Sequence, residues 1–209
     1  MKKLLIKVCG LTAPANIQAI CHLGVDMLGF IFYPLSPRYV REKATTEELT
    51  ALPLIQKRVG VFVNETKVEM LRIAKEYHLD CLQLHGQETP ELCAELRHSF
   101  TVLKAFPIAE PSDFEQANNY EGCCDYYLFD TKGPYKGGNG VAFEWQILEA
   151  YSGDTSFFLS GGITPSDSNK INQINHPKLT GLDLNSRFET SPGVKNVALL
   201  EEFMKNLVI

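Results

Sequence analysis

The chain has 209 residues, 44% of them hydrophobic, with 20 basic and 25 acidic side chains and a formal net charge of −5. That size and apolar content suit one domain with a real core, and the lack of a basic cluster argues against nucleic acid as a partner. Lys7 breaks the apolar run of Met1-Lys2-Lys3-Leu4-Leu5-Ile6 before a signal segment develops, and no run approaches membrane-spanning length, so a cytoplasmic protein without a membrane partner is expected.

Eight short apolar runs follow one another: Leu4–Cys9, Met27–Phe32, Arg58–Val63, Asp80–His85, Thr101–Phe106, Asp125–Asp130, Thr155–Gly161 and Leu179–Leu184. Most intervals hold a segment with helical spacing. Pro14–Leu23 starts on a proline suited to a first helical turn and puts Ile17, Ile20 and Cys21 on one face. Thr66–Tyr77 offers Val68, Leu71, Ile73 and Ala74 as an inward stripe, and Thr89-Pro90-Glu91 opens a third helix. Strands alternating with helices point to a parallel α/β fold, and eight such units over residues 1–209 point to a single (β/α)8 TIM barrel. A doubly wound open sheet is the alternative; Cys9-Gly10-Leu11-Thr12 lacks the glycine fingerprint that usually follows its first strand. The six cysteines (9, 21, 81, 93, 123 and 124) form no CxxC pair, which suits reduced thiols better than a disulfide framework or a zinc site.

Strand residues alternate between faces. In a barrel this turns Lys7, Cys9, Gln83, His85, Asp130 and Asp183 inward, and Lys104 is counted with them. Branched apolar residues normally fill a barrel, so a polar set needs another reason. A satisfied ion-pair network is one. An active site is the other, because Cys9 and Asp130 end two strands at the face where barrel enzymes place their chemistry. A thiol and a carboxylate there are parts for moving protons within one substrate. Taken singly, Cys9 reads as a small packed hydrophobe and Asp130 as a turn residue.

Two further loops suggest a phosphate grip. The seventh run ends Ser160-Gly161-Gly162-Ile163 and the eighth ends Asp183-Leu184-Asn185-Ser186-Arg187, the positions where barrels often hold a phosphate. Arg38, on the loop after the second run, is placed to clamp a carboxylate. The glycine-rich stretch Thr131–Val141 suggests a loop that closes over substrate. The candidate site is therefore Cys9 and Asp130 for catalysis, with Lys7, Arg38, His85, Gly162, Asp183, Asn185 and Ser186 for a phosphorylated small molecule.

These residues stand in motifs that run the length of the chain: Lys7-Val8-Cys9-Gly10-Leu11-Thr12, Ser36-Pro37-Arg38-Tyr39-Val40, Gln83-Leu84-His85-Gly86, Phe129-Asp130-Thr131, Ser160-Gly161-Gly162-Ile163 and Ser191-Pro192-Gly193-Val194-Lys195. In them the chain resembles the phosphoribosylanthranilate isomerase family of tryptophan biosynthesis. The resemblance implies an Amadori rearrangement of N-(5-phosphoribosyl)anthranilate without metal or cofactor. It implies Asp130 as general acid on the furanose oxygen, Cys9 thiolate as base at sugar C2, and Arg38 on the anthranilate carboxylate. The phosphate is expected on Gly162 and the Asn185-Ser186 turn.

The acid must keep its proton while the thiol loses its own, although free values near 4 and 8.5 run the other way. Opposed environments are therefore required, and Lys7 is expected to favour the Cys9 thiolate. The chain departs from the family pattern at Gly137-Gly138-Asn139-Gly140-Val141, where a lysine usually ends the loop, and at Asn185-Ser186-Arg187, where Ser-Ser-Gly is usual. Arg187 is expected to point to solvent. An indole-glycerol-phosphate synthase type of barrel and a non-catalytic phosphate-binding barrel are the rivals. The oligomeric state is open between monomer and homodimer.

Overall fold

Each of the eight apolar runs forms a strand in the computed structural model, which describes residues 3–131 and 145–207. The chain order is β1 (Leu5–Val8), α1 (Pro14–Cys21), β2 (Met27–Ile31), α2 (Thr46–Thr50), β3 (Lys57–Phe62), α3 (Lys67–Glu76), β4 (Cys81–Leu84), α4 (Pro90–Arg97), β5 (Thr101–Ile108), α5 (Glu115–Asn118), β6 (Tyr126–Thr131), β7 (Phe157–Ser160), α6 (Ser168–Ile171) and β8 (Leu179–Leu184). A hairpin of β9 (Glu189–Ser191) and β10 (Val194–Lys195) and the helix α7 (Val197–Asn206) follow. The strands β1 to β8 pair in sequence order and close into a barrel, so the open-sheet alternative falls. The pairing of β1 with β8 is parallel and puts Leu5 opposite Gly181 and Lys7 opposite Asp183. Beyond Thr131, the glycine-rich stretch expected to close over substrate, including Val141, lies outside the described residues.

Alternation along the strands makes two apolar layers. Met27, Val59, Cys81, Leu103, Ala105, Leu128 and Phe158 pack inside the barrel, with Leu5 and Tyr126 against them. Ile6, Val8, Leu82, Leu84, Phe129, Leu182 and Leu184 face outward to the helices. Burying a side chain of this kind contributes roughly 1.5–3 kcal/mol. The apolar inner layer stops short of the C-terminal strand ends, where Lys7, Gln83 and Asp183 take its place, each almost fully buried.

Lys104 does not join them. Its neighbours Leu103 and Ala105 point inward, so period-two alternation turns Lys104 outward. Its ammonium lies under the loop after β4, donating to Gly86 O at 2.8 Å and Ala105 O at 3.1 Å and pairing with Glu88 Oε2 at 3.3 Å. Glu88 in turn accepts from the backbone N–H groups of Asn64 and Gly86. The pair therefore ties down the loop that follows His85.

Helix starts follow the expected chemistry. Pro14 and Pro90 occupy first-turn positions, and the Thr66 and Thr89 hydroxyls accept from the N–H groups of Glu69 and Leu92. The inward face of α3 differs from the expected stripe: it is Met70, Ile73 and Ala74, while Val68 is 80% exposed. Met70 and Ala74 are one turn apart and Ile73 sits between them, which is the spacing a helix buries; Val68 lies off that line.

Candidate active site

The C-terminal strand ends enclose a cavity of about 300 Å³. Cys9, His85, Asp130, Gly162, Asp183, Asn185 and Ser186 all line it, contributed by β1, β4, β6, β7, β8 and the loops beyond them. Gln83 and Arg187 line it too. Lys7 and Arg38 do not, and each has a reason.

Lys7 is sealed beneath the cavity. Its ammonium is fully buried and lies 2.7 Å from Asp183 Oδ1, the residue opposite it in register. Burial works against its charge, but Asp183 and Cys9 together outweigh burial and raise its pKa above the ordinary lysine value. Lys7 thus acts on the site through Asp183 and Cys9, not by touching what fills the cavity.

Arg38 is taken by Glu189. Its Nη2 donates to Glu189 Oε2 at 2.6 Å and its Nε to Oε1 at 2.8 Å. Lys195, also fully buried, donates to the same carboxylate at 2.7 Å and to Asn185 Oδ1 at 2.8 Å. Gly10 permits this crowding: its φ is +76°, and a Cβ there would lie 2.6 Å from Arg38 Cδ and 2.8 Å from Asn185 Oδ1. Glu189 and Lys195 carry no role in the sequence reading. Lys195 closes a motif that was recognised, Ser191–Lys195, but nothing local marks Glu189, which reaches the site only because β9 and β10 fold back. Thr12 donates to Gly193 O at 3.0 Å and Asn16 exchanges two 2.8 Å hydrogen bonds with the Lys195 backbone, which docks that hairpin onto the start of α1.

Cys9 sits in the middle of these charges and is 3% exposed. Its backbone N–H bonds Leu184 O at 2.9 Å, fixing the strand end. Gly29 on β2 leaves room for its sulfur, since a Cβ there would be 2.8 Å from Sγ. Burial pushes the Cys9 thiol above its ordinary value; Lys7 and Lys195 pull it down and Asp183 pushes it up. The expected help from Lys7 is present but burial outweighs it. Among the described residues, Lys7, Arg38 and Lys195 act on this sulfur in favour of the thiolate, and Asp183 acts with burial against it.

Across the cavity, Asp130 Oδ2 lies 3.6 Å from His85 Nε2, and His85 Nδ1 meets the Gln83 amide at 2.9 Å. The Asp130 side chain is 26% exposed, so it opens to the cavity. At the third wall, Gly161 and Gly162 both have positive φ, +89° and +67°, and a Cβ on Gly162 would meet nothing within 4 Å. Two such residues in succession let backbone approach an anion without side chains in the way. Ser186 begins a short 3₁₀ turn, Ser186–Phe188, facing them. Arg187 on that turn is exposed and has no ion pair among the described residues. No group of His, Cys, Asp and Glu suited to a metal ion occurs among the described residues.

The sequence profile of the N-(5'-phosphoribosyl)anthranilate (PRA) isomerases matches residues 6–206. The chain belongs to the N-(5'-phosphoribosyl)anthranilate isomerase family. It is 45% identical over 207 residues to the N-(5'-phosphoribosyl)anthranilate isomerase of Parabacteroides distasonis, covering 98% of this chain and 94% of that one. It is 46% identical over 205 residues to that of Phocaeicola vulgatus, covering 98% of each. Among solved structures, the isomerase of Thermotoga maritima superposes with a TM-score of 0.82 at 32% identity over 98% of both chains. A phosphoribosyl anthranilate isomerase in complex with reduced 1-(o-carboxyphenylamino)-1-deoxyribulose 5-phosphate superposes with a TM-score of 0.80 at 31% identity, again over 98% of both.

Proposed function

We propose that the protein converts N-(5-phosphoribosyl)anthranilate into 1-(2-carboxyphenylamino)-1-deoxyribulose 5-phosphate, an isomerisation in tryptophan biosynthesis carried out by one acid and one base. The observation that carries the assignment of roles is that Cys9 and Asp130, from opposite parts of the chain, line one cavity with the two-glycine turn at Gly161-Gly162.

The Asp130 carboxyl gives its proton to the furanose ring oxygen. The C1–O bond breaks with its electrons on oxygen, and the nitrogen lone pair closes a C1=N bond. The Cys9 thiolate then removes the proton at C2, and the electron pair moves through C1 to nitrogen, leaving an enolamine that tautomerises to the ketone. Proton transfers of this kind are worth roughly 10²–10⁴-fold each. Lys7 and Lys195 reduce the cost of the buried thiolate without cancelling it. Gly162, Asn185 and Ser186 receive the phosphate, and Asp183 lies on the cavity wall held by Lys7.

Arg38 meets the anthranilate carboxylate through Nη1, which has no hydrogen-bond partner among the described residues, while Glu189 holds Nε and Nη2. The reaction runs in the cytoplasm, in keeping with the free thiols of all six cysteines and the lack of any membrane-crossing helix among the described residues.

The test is direct. Freshly made phosphoribosylanthranilate carries anthranilate-type fluorescence that is lost on conversion. Purified protein should consume that signal at catalytic concentration; decay at the background rate would refute the assignment.

A further inference from the structure

Gln83 and His85 share the interior side of β4 and the loop beyond it, and each touches the next polar group along the wall. The Gln83 amide nitrogen lies 2.9 Å from His85 Nδ1, and His85 Nε2 lies 3.6 Å from Asp130 Oδ2. An amide nitrogen only donates, so in this arrangement Nδ1 is the acceptor and the imidazole proton sits on Nε2, facing Asp130. The arrangement has a cost at the amide's other end. Gln83 is 1% exposed, and its Oε1 has no donor among the described residues. A buried acceptor without a partner marks a group held for a site more than for stability.

We infer that Gln83 is a positioning residue for the acid: its amide donates to Nδ1, selects the Nε2–H tautomer of His85, and so stops the ring from presenting a bare Nε2 to the proton that Asp130 must deliver. The inference rests on Asp130 being the general acid. A neutral Nε2–H faces one carboxyl oxygen across 3.6 Å, close enough to donate once the site tightens on substrate, and leaves the acidic proton for the other oxygen. The two alternatives for His85 both defeat the acid. With the proton on Nδ1, the bare Nε2 accepts a proton from Asp130. As imidazolium, His85 holds Asp130 as the carboxylate. Among the described residues, the other charged or titratable groups on the cavity wall are Cys9, Asp183 and Arg187, and Lys7 pairs with Asp183 from below. Lys104, on the adjacent β5, faces away toward Glu88 and does not reach the ring.

Two substitutions separate this role from packing. Gln83→Met keeps the bulk and removes the donor, which frees His85 to populate both neutral forms. Gln83→Glu keeps the shape and replaces the donor by an acceptor, which forces a proton onto Nδ1. The role therefore predicts that the isosteric Gln83→Glu is the worse enzyme. Its kcat should fall about tenfold or more below that of Gln83→Met, with KM within roughly threefold of wild type in both. A packing role predicts the reverse order. Independently of any variant's folding, ¹⁵N spectra of the histidines in the wild-type protein near neutral pH should show His85 protonated at Nε2 and bare at Nδ1, its signal assigned by its loss in His85→Asn. A protonated Nδ1 in the wild type, or a Gln83→Glu variant as active as Gln83→Met, overturns the inference. Turnover surviving in Asp130→Asn would instead overturn the assignment of the acid itself.

Discussion

Arg38 and Glu189 are joined by a two-pronged ion pair, Nη2 to Oε2 at 2.6 Å and Nε to Oε1 at 2.8 Å, across 151 residues of sequence. The pair aims the guanidinium without consuming it, because Nη1 has no hydrogen-bond partner among the described residues. Arg38→Ala should therefore raise KM for the carboxylate-bearing substrate, at a cost of roughly 1.5–3 kcal/mol for one charge-assisted contact. A substrate analogue without the carboxylate should lose little further on this variant. If the two losses add in full, Arg38 does not bind that group.

Glu189 makes stability depend on acid. Burial works to raise its pKa, but hydrogen bonds from Arg38 and Lys195 outweigh burial and hold it below the ordinary glutamate value. A depressed carboxylate contributes stability at pH above its unfolded value, near 4.3, and that contribution is lost as pH falls through the lower folded value. Glu189→Gln should flatten this acid limb in chemical denaturation measured from pH 6 down to about 3. An unchanged limb would show that the carboxylate contributes nothing there.

Cys9→Ala and Asp130→Asn should each fold and each lose on the order of 10²–10⁴-fold or more in kcat. Because burial holds the Cys9 thiol above its ordinary value, its alkylation by iodoacetamide should rise through a pH range higher than that of a free thiol near 8.5. Near-wild-type kcat in either variant would reject the role given to that residue.

The buried pair of Lys104 and Glu88 supports the loop after β4 with no part in proton transfer. Lys104→Met leaves Glu88 with its backbone donors but no cation, in a place that is 1% exposed at the carboxylate side chain. Breaking one side of a buried pair costs about 3–5 kcal/mol, so a clear drop in the denaturation midpoint is expected. A change below about 1 kcal/mol would mean that the loop is held by its backbone hydrogen bonds alone.

Arg187 borders the cavity but is exposed and unpaired among the described residues. Arg187→Gly should leave the affinity for a phosphorylated product analogue within about twofold. A rise in Kd of about tenfold, roughly 1.4 kcal/mol, that shrinks in high salt would instead make Arg187 a phosphate contact.

The barrel was legible because strand alternation and helix starts are local signals. Eight apolar runs, Pro14 and the Thr89-Pro90 start could be read within a few residues each. The same alternation was enough to bring Cys9, His85, Asp130 and Asp183 to one cavity. The same alternation turns Lys104 away from that cavity, since its flanking Leu103 and Ala105 are the inward pair. Val68 and Leu71, three residues apart, share the solvent face of α3, whereas Met70, Ile73 and Ala74 form its buried line. Glu189 and its hold on Arg38 had no local signal. They depend on a hairpin that turns back over the first helix, and no spacing along the chain encodes that return. The burial that outweighs Lys7 at Cys9 is likewise a property of the closed barrel, not of any neighbour in sequence.

The seam between β1 and β8 gives the protein a timetable. Cys9 is made in the first moments of synthesis, but its neighbours Asp183, Asn185, Glu189 and Lys195 are made at the end, and the bonds from Thr12 to Gly193 and from Asn16 to Lys195 join the two. Domains begin folding from the N-terminus as they emerge, yet until β8 and the last hairpin arrive this thiol has only the early-made Lys7 and Arg38 beside it. A nascent chain stalled before residue 183 therefore holds Gln83, His85 and Asp130 but lacks Asp183 and Lys195, which complete the charges around Cys9. The cavity wall is complete only when the ribosome has almost let go.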